Sequence, residues 1–223
     1  MLLEKTMVNE LKELLSTQGM TEVGFAAVTP PEEYAALTHA VSLVLPLSDA
    51  VIDTIKTAPT HTYFHHYRTV NAYLDRLALS VGLFLQNRGY RYVCVPASQS
   101  INGFSGLFSH KEAAVSAGLG VIGRNALFLS EKYGPRVRLA TILTDADLSL
   151  GFKALSKKDP CANCQACVRA CPAMAISGKS YKEGSNDIID RSACSEHMKR
   201  AYQKIGRGVV CGLCMSVCPA GRK

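Results

Sequence analysis

Residues 161–172, CANCQACVRACP, place four cysteines and a proline within twelve positions, and CGLCMSVCP at 211–219 adds three more cysteines with the same Cys-Pro ending. Of the nine cysteines in the 223-residue chain, eight lie between 161 and 218. Thiols at that density either pair as disulfides or share metal. The N-terminus, MLLEKT, has a glutamate where the apolar core of a signal peptide would begin. The longest apolar stretch, LALSVGLFL at 77–85, lies between Arg76 and Arg88 and is too short to span a bilayer. A cytoplasmic location without membrane contact is therefore expected, and a reducing compartment favours metal over disulfides.

The spacing narrows the metal. Cys161, Cys164, Cys167 and Cys171–Pro172 form C-x2-C-x2-C-x3-C-P, which resembles the bacterial ferredoxin run. Cys211, Cys214 and Cys218–Pro219 repeat its second half, and Cys194 lies between. In two-cluster ferredoxins the fourth cysteine of the run ligates the other cluster. Three thiols two residues apart in a curling loop can cap three irons of one cube, while a fourth that has entered a helix points elsewhere. Two [4Fe–4S] clusters are expected, one on Cys161, Cys164, Cys167 and Cys218, the other on Cys171, Cys194, Cys211 and Cys214. Structural zinc also uses C-x2-C pairs, but it has no use for the triplet followed by Cys-Pro. Cys94, in the strand-like YRYVCVP, is expected to be a buried, inert thiol.

Charge is uneven along the chain. Residues 153–223 carry 13 Lys+Arg against 5 Asp+Glu, a net of +8, whereas residues 1–152 carry 12 against 13, a net of −1. Two oxidised clusters with eight thiolates bring a formal charge of about −4. About half of the basic excess is thus expected to be internal counter-charge, with the remainder facing an acidic electron donor or a phosphate backbone.

The first 150 residues alternate helix and strand signals. A helix-like face of Val8, Leu11, Leu14 and Leu15 ends at Gly19, and a long amphipathic helix is expected over 63–88, with Gly89 just past its end. VGFAAV, AVSLVLPL, YRYVCVP, ALFLS and VRLATILT read as strands. The polar stretch TDADLSLGFKALSKKDP separates this part from the cysteines, so domains of 1–150 and 151–223 are expected. Gly118, Gly120 and Gly123 match G-x-G-x-x-G, but a helical pattern precedes them and a strand pattern follows, the reverse of a dinucleotide fingerprint. The glycines are expected to let backbone turn tightly beside something flat or bulky.

The block SHKEAAVSAGLGVIGRNALFLSEKYGPRVRLATILTD, followed by the two cysteine motifs, resembles the epoxyqueuosine reductase family and, through it, the reductive dehalogenases. The resemblance runs from about Thr60 to Pro219. It implies an α+β fold: a nitroreductase-like domain binding base-off cobalamin, followed by a ferredoxin-like two-cluster domain that feeds electrons to cobalt. Ala117, Gly118, Leu119, Gly120, Ile122, Gly123, Arg124 and Asn125 would then edge the corrin.

Three departures separate the chain from epoxyqueuosine reductases. The family's upstream aspartate has no counterpart in INGFSGLF, Val121 stands where tryptophan is common, and no tRNA-gripping helical region follows Cys218. tRNA is therefore not expected as a substrate. Candidate proton donors are Tyr63, His66 and His110, with Arg68 available to stabilise a tyrosine anion. His39, His61 and His197 are expected at the surface. Two functions are consistent with these residues. One is a cobalamin-dependent iron–sulfur reductase acting on a small-molecule or corrinoid substrate, supplied by a ferredoxin- or flavodoxin-type donor. The other is an electron-transfer or reductive-activation protein with no substrate of its own.

Overall fold

The computed structural model describes residues 2–20, 22–98, 100–101, 103–156, 159–182 and 187–221, with side chains from Met7 onward. The first helix, α1 (Leu2–Thr17), buries Val8, Leu11 and Leu15 and stops at Gly19, whose φ of 75° suits a residue without a Cβ. The one-turn α2 (Asp49–Ile52) precedes the long helix, α3 (His61–Gln86). α3 buries Leu74, Leu77, Ala78, Val81 and Leu85 to 2% exposure or less, while Leu79 and Leu83 face outward. That is one apolar stripe at helical spacing. Its end is punctuated by Gly89, at a φ of 86°. The short α4 (His110–Ser116) leads into the glycine block.

Four strands form the main sheet in the order β1 (Glu22–Ala27), β2 (His39–Pro46), β6 (Val137–Thr144), β3 (Tyr92–Val95). β1 pairs antiparallel with β2, with Phe25 opposite Val41, and β3 pairs antiparallel with β6, with Cys94 opposite Ile142. The central strands are buried along nearly their whole length, as their unbroken apolar runs require. A separate two-stranded sheet joins β4 (Gly120–Ile122) to β5 (Phe128–Ser130). β5 begins two residues later than the apolar run suggests. Ala126 has a φ of 58°, inside a turn where Gly123 N–H donates to Leu127 O at 2.9 Å. Among the described residues no helix is long and apolar enough to cross a membrane.

The polypeptide folds as two compact units, each assembled from segments distant in sequence. The first comprises Met1–Leu45, Val70–Gly120 and Arg138–Ser156; the second comprises Pro46–Thr69, Val121–Val137 and Lys157–Lys223. Segments 46–69 and 121–137 therefore fold with the cysteine-rich stretch. The reason is size. α5 (Ala166–Ala170) and α7 (Leu213–Ser216) are five and four residues long, too short to be stable without packing partners. Within this unit Arg136, only 3% exposed, donates to Asp49 at 2.7 Å and to Asp53 at 2.8 Å.

Close approach fixes one contact of the first unit. A Cβ on Gly82 of α3 would lie 2.1 Å from the Tyr92 ring of β3. Gly82→Ala should gain up to about 1 kcal/mol of helix propensity and lose about 1–3 kcal/mol to overpacking, for a net destabilisation. In a Tyr92→Ala background the same substitution should become stabilising. Chemical denaturation of the four proteins of this cycle checks the sign reversal.

Candidate metal centre

Local hydrogen bonds place each thiol of the second unit. Asp159 Oδ1 accepts the Cys161 N–H at 3.0 Å, and Cys164 N–H folds back to Cys161 O at 2.9 Å, curling the loop. Cys167 lies buried in α5, and Cys171, just past its end, accepts the Ala175 N–H on sulfur at 3.4 Å. Cys194 sits in the first turn of α6 (Arg191–Tyr202), whose N-cap Asp190 accepts from Ala193 N–H at 2.9 Å. Gly212, at a φ of 73°, turns the chain between Cys211 and Cys214. A Cβ there would meet the Tyr63 ring at 2.9 Å and Ile55 at 3.0 Å. Cys218 follows α7.

The thiols influence one another in two groups. Burial pushes Cys167 up, assisted by Cys161 and Cys164, and Cys218 is pushed up by burial and by those same three thiols. Burial raises Cys194, with Cys211 and Cys171 adding to it, and raises Cys211, with Cys171 adding to it. Cys214 is raised by burial, then by Cys211 and Cys194, with smaller contributions from Cys167 and Cys171. Burial and then Cys211 also raise the Tyr202 hydroxyl. Buried thiols of this kind hold their protons until a metal displaces them.

The donor chemistry fits two cubanes. The eight free cysteines of this unit are the donor number that two four-thiolate clusters require.

The glycine block serves two structures. Ala117 and Leu119 are buried in the first unit, and a Cβ on Gly118 would lie 2.5 Å from Ala154 O, so close backbone packing explains that glycine. In the second unit Gly123 packs on Leu129. Arg124 donates to Cys164 O at 2.8 Å and to Ala162 O at 3.1 Å, and Asn125 donates to Cys214 O at 3.2 Å. Two residues expected at a corrin edge thus hold the cysteine loops. What the block offers a flat ring is β4, where Gly120 is buried and Val121 and Ile122 are half-exposed.

The expected proton donors are all committed to contacts. Half-buried His110 donates from Nε2 to Pro96 O at 2.9 Å and meets Thr141 Oγ1 at Nδ1, also at 2.9 Å. Burial lowers its pKa most, and Arg138 lowers it further. His66 accepts the Ser48 N–H at Nε2 at 3.0 Å; burial and then His65 lower its pKa. Tyr63 is 3% exposed and packs edge-on to Tyr67. Arg68 lies over the Phe64 ring instead of a tyrosine hydroxyl. Of the three histidines expected at the surface, His61 is exposed. His39 is half-buried beside Phe152, and His197 is half-buried beside Tyr202, its Nε2 3.3 Å from the hydroxyl. Cys94 is half-buried, its pKa pushed up to about 11 by burial and by Asp75. Two residues that support the thiols lie outside the expected set. Asp190 could have been found, because an aspartate directly before a helical segment is a readable cap. Tyr202 could not, since no local pattern points it to a sulfur.

Every described Lys and Arg between 153 and 221 is exposed. The cation bonded to a cysteine loop is Arg124, from a distant segment.

Residues 160–221 match the family model of the 4Fe-4S double cluster binding domain, which makes this a double-cluster iron–sulfur protein. Over 169 residues the chain is 30% identical to the tetrachloroethene reductive dehalogenase of Desulfitobacterium hafniense, covering 75% of this chain and 29% of that protein. Over 118 residues it is 35% identical to the epoxyqueuosine reductase of Cyclobacterium marinum, covering 50% of this chain and 36% of that one. A catabolic reductive dehalogenase shares the fold with a TM-score of 0.74 at 20% identity, over 96% of this chain and 31% of that one. The epoxyqueuosine reductase of Bacillus subtilis shares it with a TM-score of 0.62 at 19% identity, over 98% and 66%. The chain belongs with the epoxyqueuosine reductase-like and reductive dehalogenase-like proteins, and it spans about a third of the length of the curated relatives it matches.

Anaerobic reconstitution should load about eight iron and eight sulfide per chain. Cys218→Ser should impair the cluster site shared with Cys161, Cys164 and Cys167 and spare the other. Iron analysis together with EPR of the reduced protein checks both; loss confined to the other site would refute the grouping.

Proposed function

We propose that the protein is an iron–sulfur, cobalamin-dependent reductase. It would take low-potential electrons from an acidic ferredoxin- or flavodoxin-type donor and act on a small-molecule or corrinoid substrate, with tRNA not expected as one. The proposed architecture is a nitroreductase-like domain (1–150) and a ferredoxin-like domain (151–223), with segments 46–69 and 121–137 folding with the latter. The observation that carries the reading is the gathering of eight thiols into two interleaved groups in a chain related to reductive dehalogenases. A solved dehalogenase of the same fold is described as B12-dependent. Cobalamin, when bound base-off, supplies a cobalt centre that low-potential electrons can reduce. The protein's part is to hold two thiolate sets at fixed positions, to offer β4 as an apolar face, and to present cations to the donor. The exposed Lys199, Arg200, Lys204 and Arg207, on and just after the helix that carries Cys194, suit an acidic partner.

Proton delivery falls to Tyr63 in this proposal. His66 and His110 are both pushed towards the neutral form, in which an imidazole is a very weak acid, whereas a tyrosine hydroxyl is an acid of pKa about 10. The engagement of both histidines also favours the second reading, an electron-transfer protein without a substrate of its own.

The visible spectrum of anaerobically reconstituted protein with added cobalamin separates the two readings. A base-off spectrum of protein-bound corrinoid is expected, and free base-on cobalamin would sink the reductase reading. With a reducible substrate in hand, Tyr63→Phe should keep its iron and slow single turnover about 10²–10⁴-fold, the usual worth of general acid catalysis. Epoxyqueuosine-containing tRNA should not turn over, because INGFSGLF contains no acid.

A further inference from the structure

Arg124 and Asn125 are neighbours in one tight turn and reach different thiol groups. The Arg124 guanidinium forks onto Cys164 O and Ala162 O, both in the loop of the first group. Asn125 donates to Cys214 O of the second, while its own Oδ1 accepts the Leu127 N–H at 3.2 Å, which locks the side chain. Arg124 Nε is buried with no hydrogen-bond partner among the described residues. Among those residues the cation therefore meets two carbonyl oxygens and no carboxylate. The described Lys and Arg of 153–221 are exposed, where water and salt screen them.

We infer that Arg124, a half-buried cation held on the loop backbone, sets the reduction potential at Cys161, Cys164, Cys167 and Cys218, while Asn125 positions the other thiol group without adding charge. The inference rests on the two-cluster reading. Reduction adds one electron, and so one negative charge, to a site already made anionic by four thiolates. A cation fixed on the loop carbonyls favours that reduced form, and cluster potentials follow net charge and solvent exposure. Arginine suits the position because its planar fork satisfies two acceptors at once, which a lysine ammonium does less well.

The test is a redox titration by EPR, with dithionite supplying one electron per cluster, on reconstituted full-length protein. Wild type is compared with Arg124→Gln, Arg124→Lys and Asn125→Ala, and Cys218→Ser identifies which signal belongs to the first group. Arg124→Gln should shift that signal to lower potential by about tenfold in the reduction equilibrium, about 59 mV for one electron, and leave the other in place. Arg124→Lys should restore most of the shift, and Asn125→Ala should not reproduce it. No shift, or an equal shift in both signals, would overturn the inference. If Arg124→Gln cannot hold iron, Arg124→Lys decides: a retained cluster near the wild-type potential supports the role of charge, and lost iron shows a scaffold only. Wild-type protein lacking two cluster signals would refute the two-cluster reading itself, an outcome separate from all of these.

Discussion

Desolvation of the thiols is the constraint on which the cysteine-bearing unit depends. Cys167, Cys194, Cys211, Cys214 and Cys218 are all pushed up by burial, and neighbouring thiols push most of them further. Such a group of sulfurs would be a poor core for an ordinary domain. The helices that carry it, four and five residues long in two cases, add little stability of their own. Metal changes this balance, because ligation replaces the thiol protons and ties α5, α6, α7 and their loops to common points. In such a site the free energy of binding is also free energy of folding.

The same unit recruits segments from elsewhere in the chain, and glycines mark where they touch. A Cβ on Gly206 would strike the Phe64 ring at 2.1 Å, and Gly212 lies under Tyr63 and Ile55. Gly134 faces Ala220 O at 2.0 Å from its would-be Cβ, and Gly221 faces the Tyr133 backbone. The start of α3 and the segment around 134 are therefore packed against the loops that bear Cys211 and Cys218. Arg136 holds Asp49 and Asp53 within the same unit. A buried arginine held by two exposed carboxylates is costly to break from the carboxylate side, since the cation would remain desolvated.

How much of this could be read in advance varied with the range of the signal. α1, α3 and β6 follow from apolar periodicity, and Gly19 and Gly89 mark ends that a helix-length pattern already suggests. The double-cluster domain follows from the spacing of the ferredoxin run, because C-x2-C-x2-C constrains three sulfurs locally. Interactions made across long sequence separations left no such trace. The letters of the glycine block do not reveal that Arg124 reaches 40 residues onward to Cys164, or Asn125 89 residues onward to Cys214. The pattern G-x-G-x-x-G-R-N suggested one continuous edge, whereas packing divides it between two units. His110 shows the same limit. A histidine ahead of the glycine block reads as an available acid, yet Thr141 and Pro96, distant in the chain, engage both ring nitrogens.

The distribution of charge ties these points together. A basic C-terminal segment beside eight cysteines invites the idea that its lysines and arginines neutralise the clusters, but exposed cations in high dielectric contribute little to a buried anionic site. Neutralisation is more effective from a guanidinium held against the loop backbone, and that group comes from residue 124, outside the basic segment. The exposed cations then remain available to act at longer range. Their field extends about a Debye length into solvent, some 8–10 Å at physiological salt, which is enough to orient an acidic partner before contact. A guanidinium held on a cysteine loop and exposed cations elsewhere separate two tasks that net charge alone conflates: setting the energy of an electron already on the protein, and drawing in the molecule that brings it.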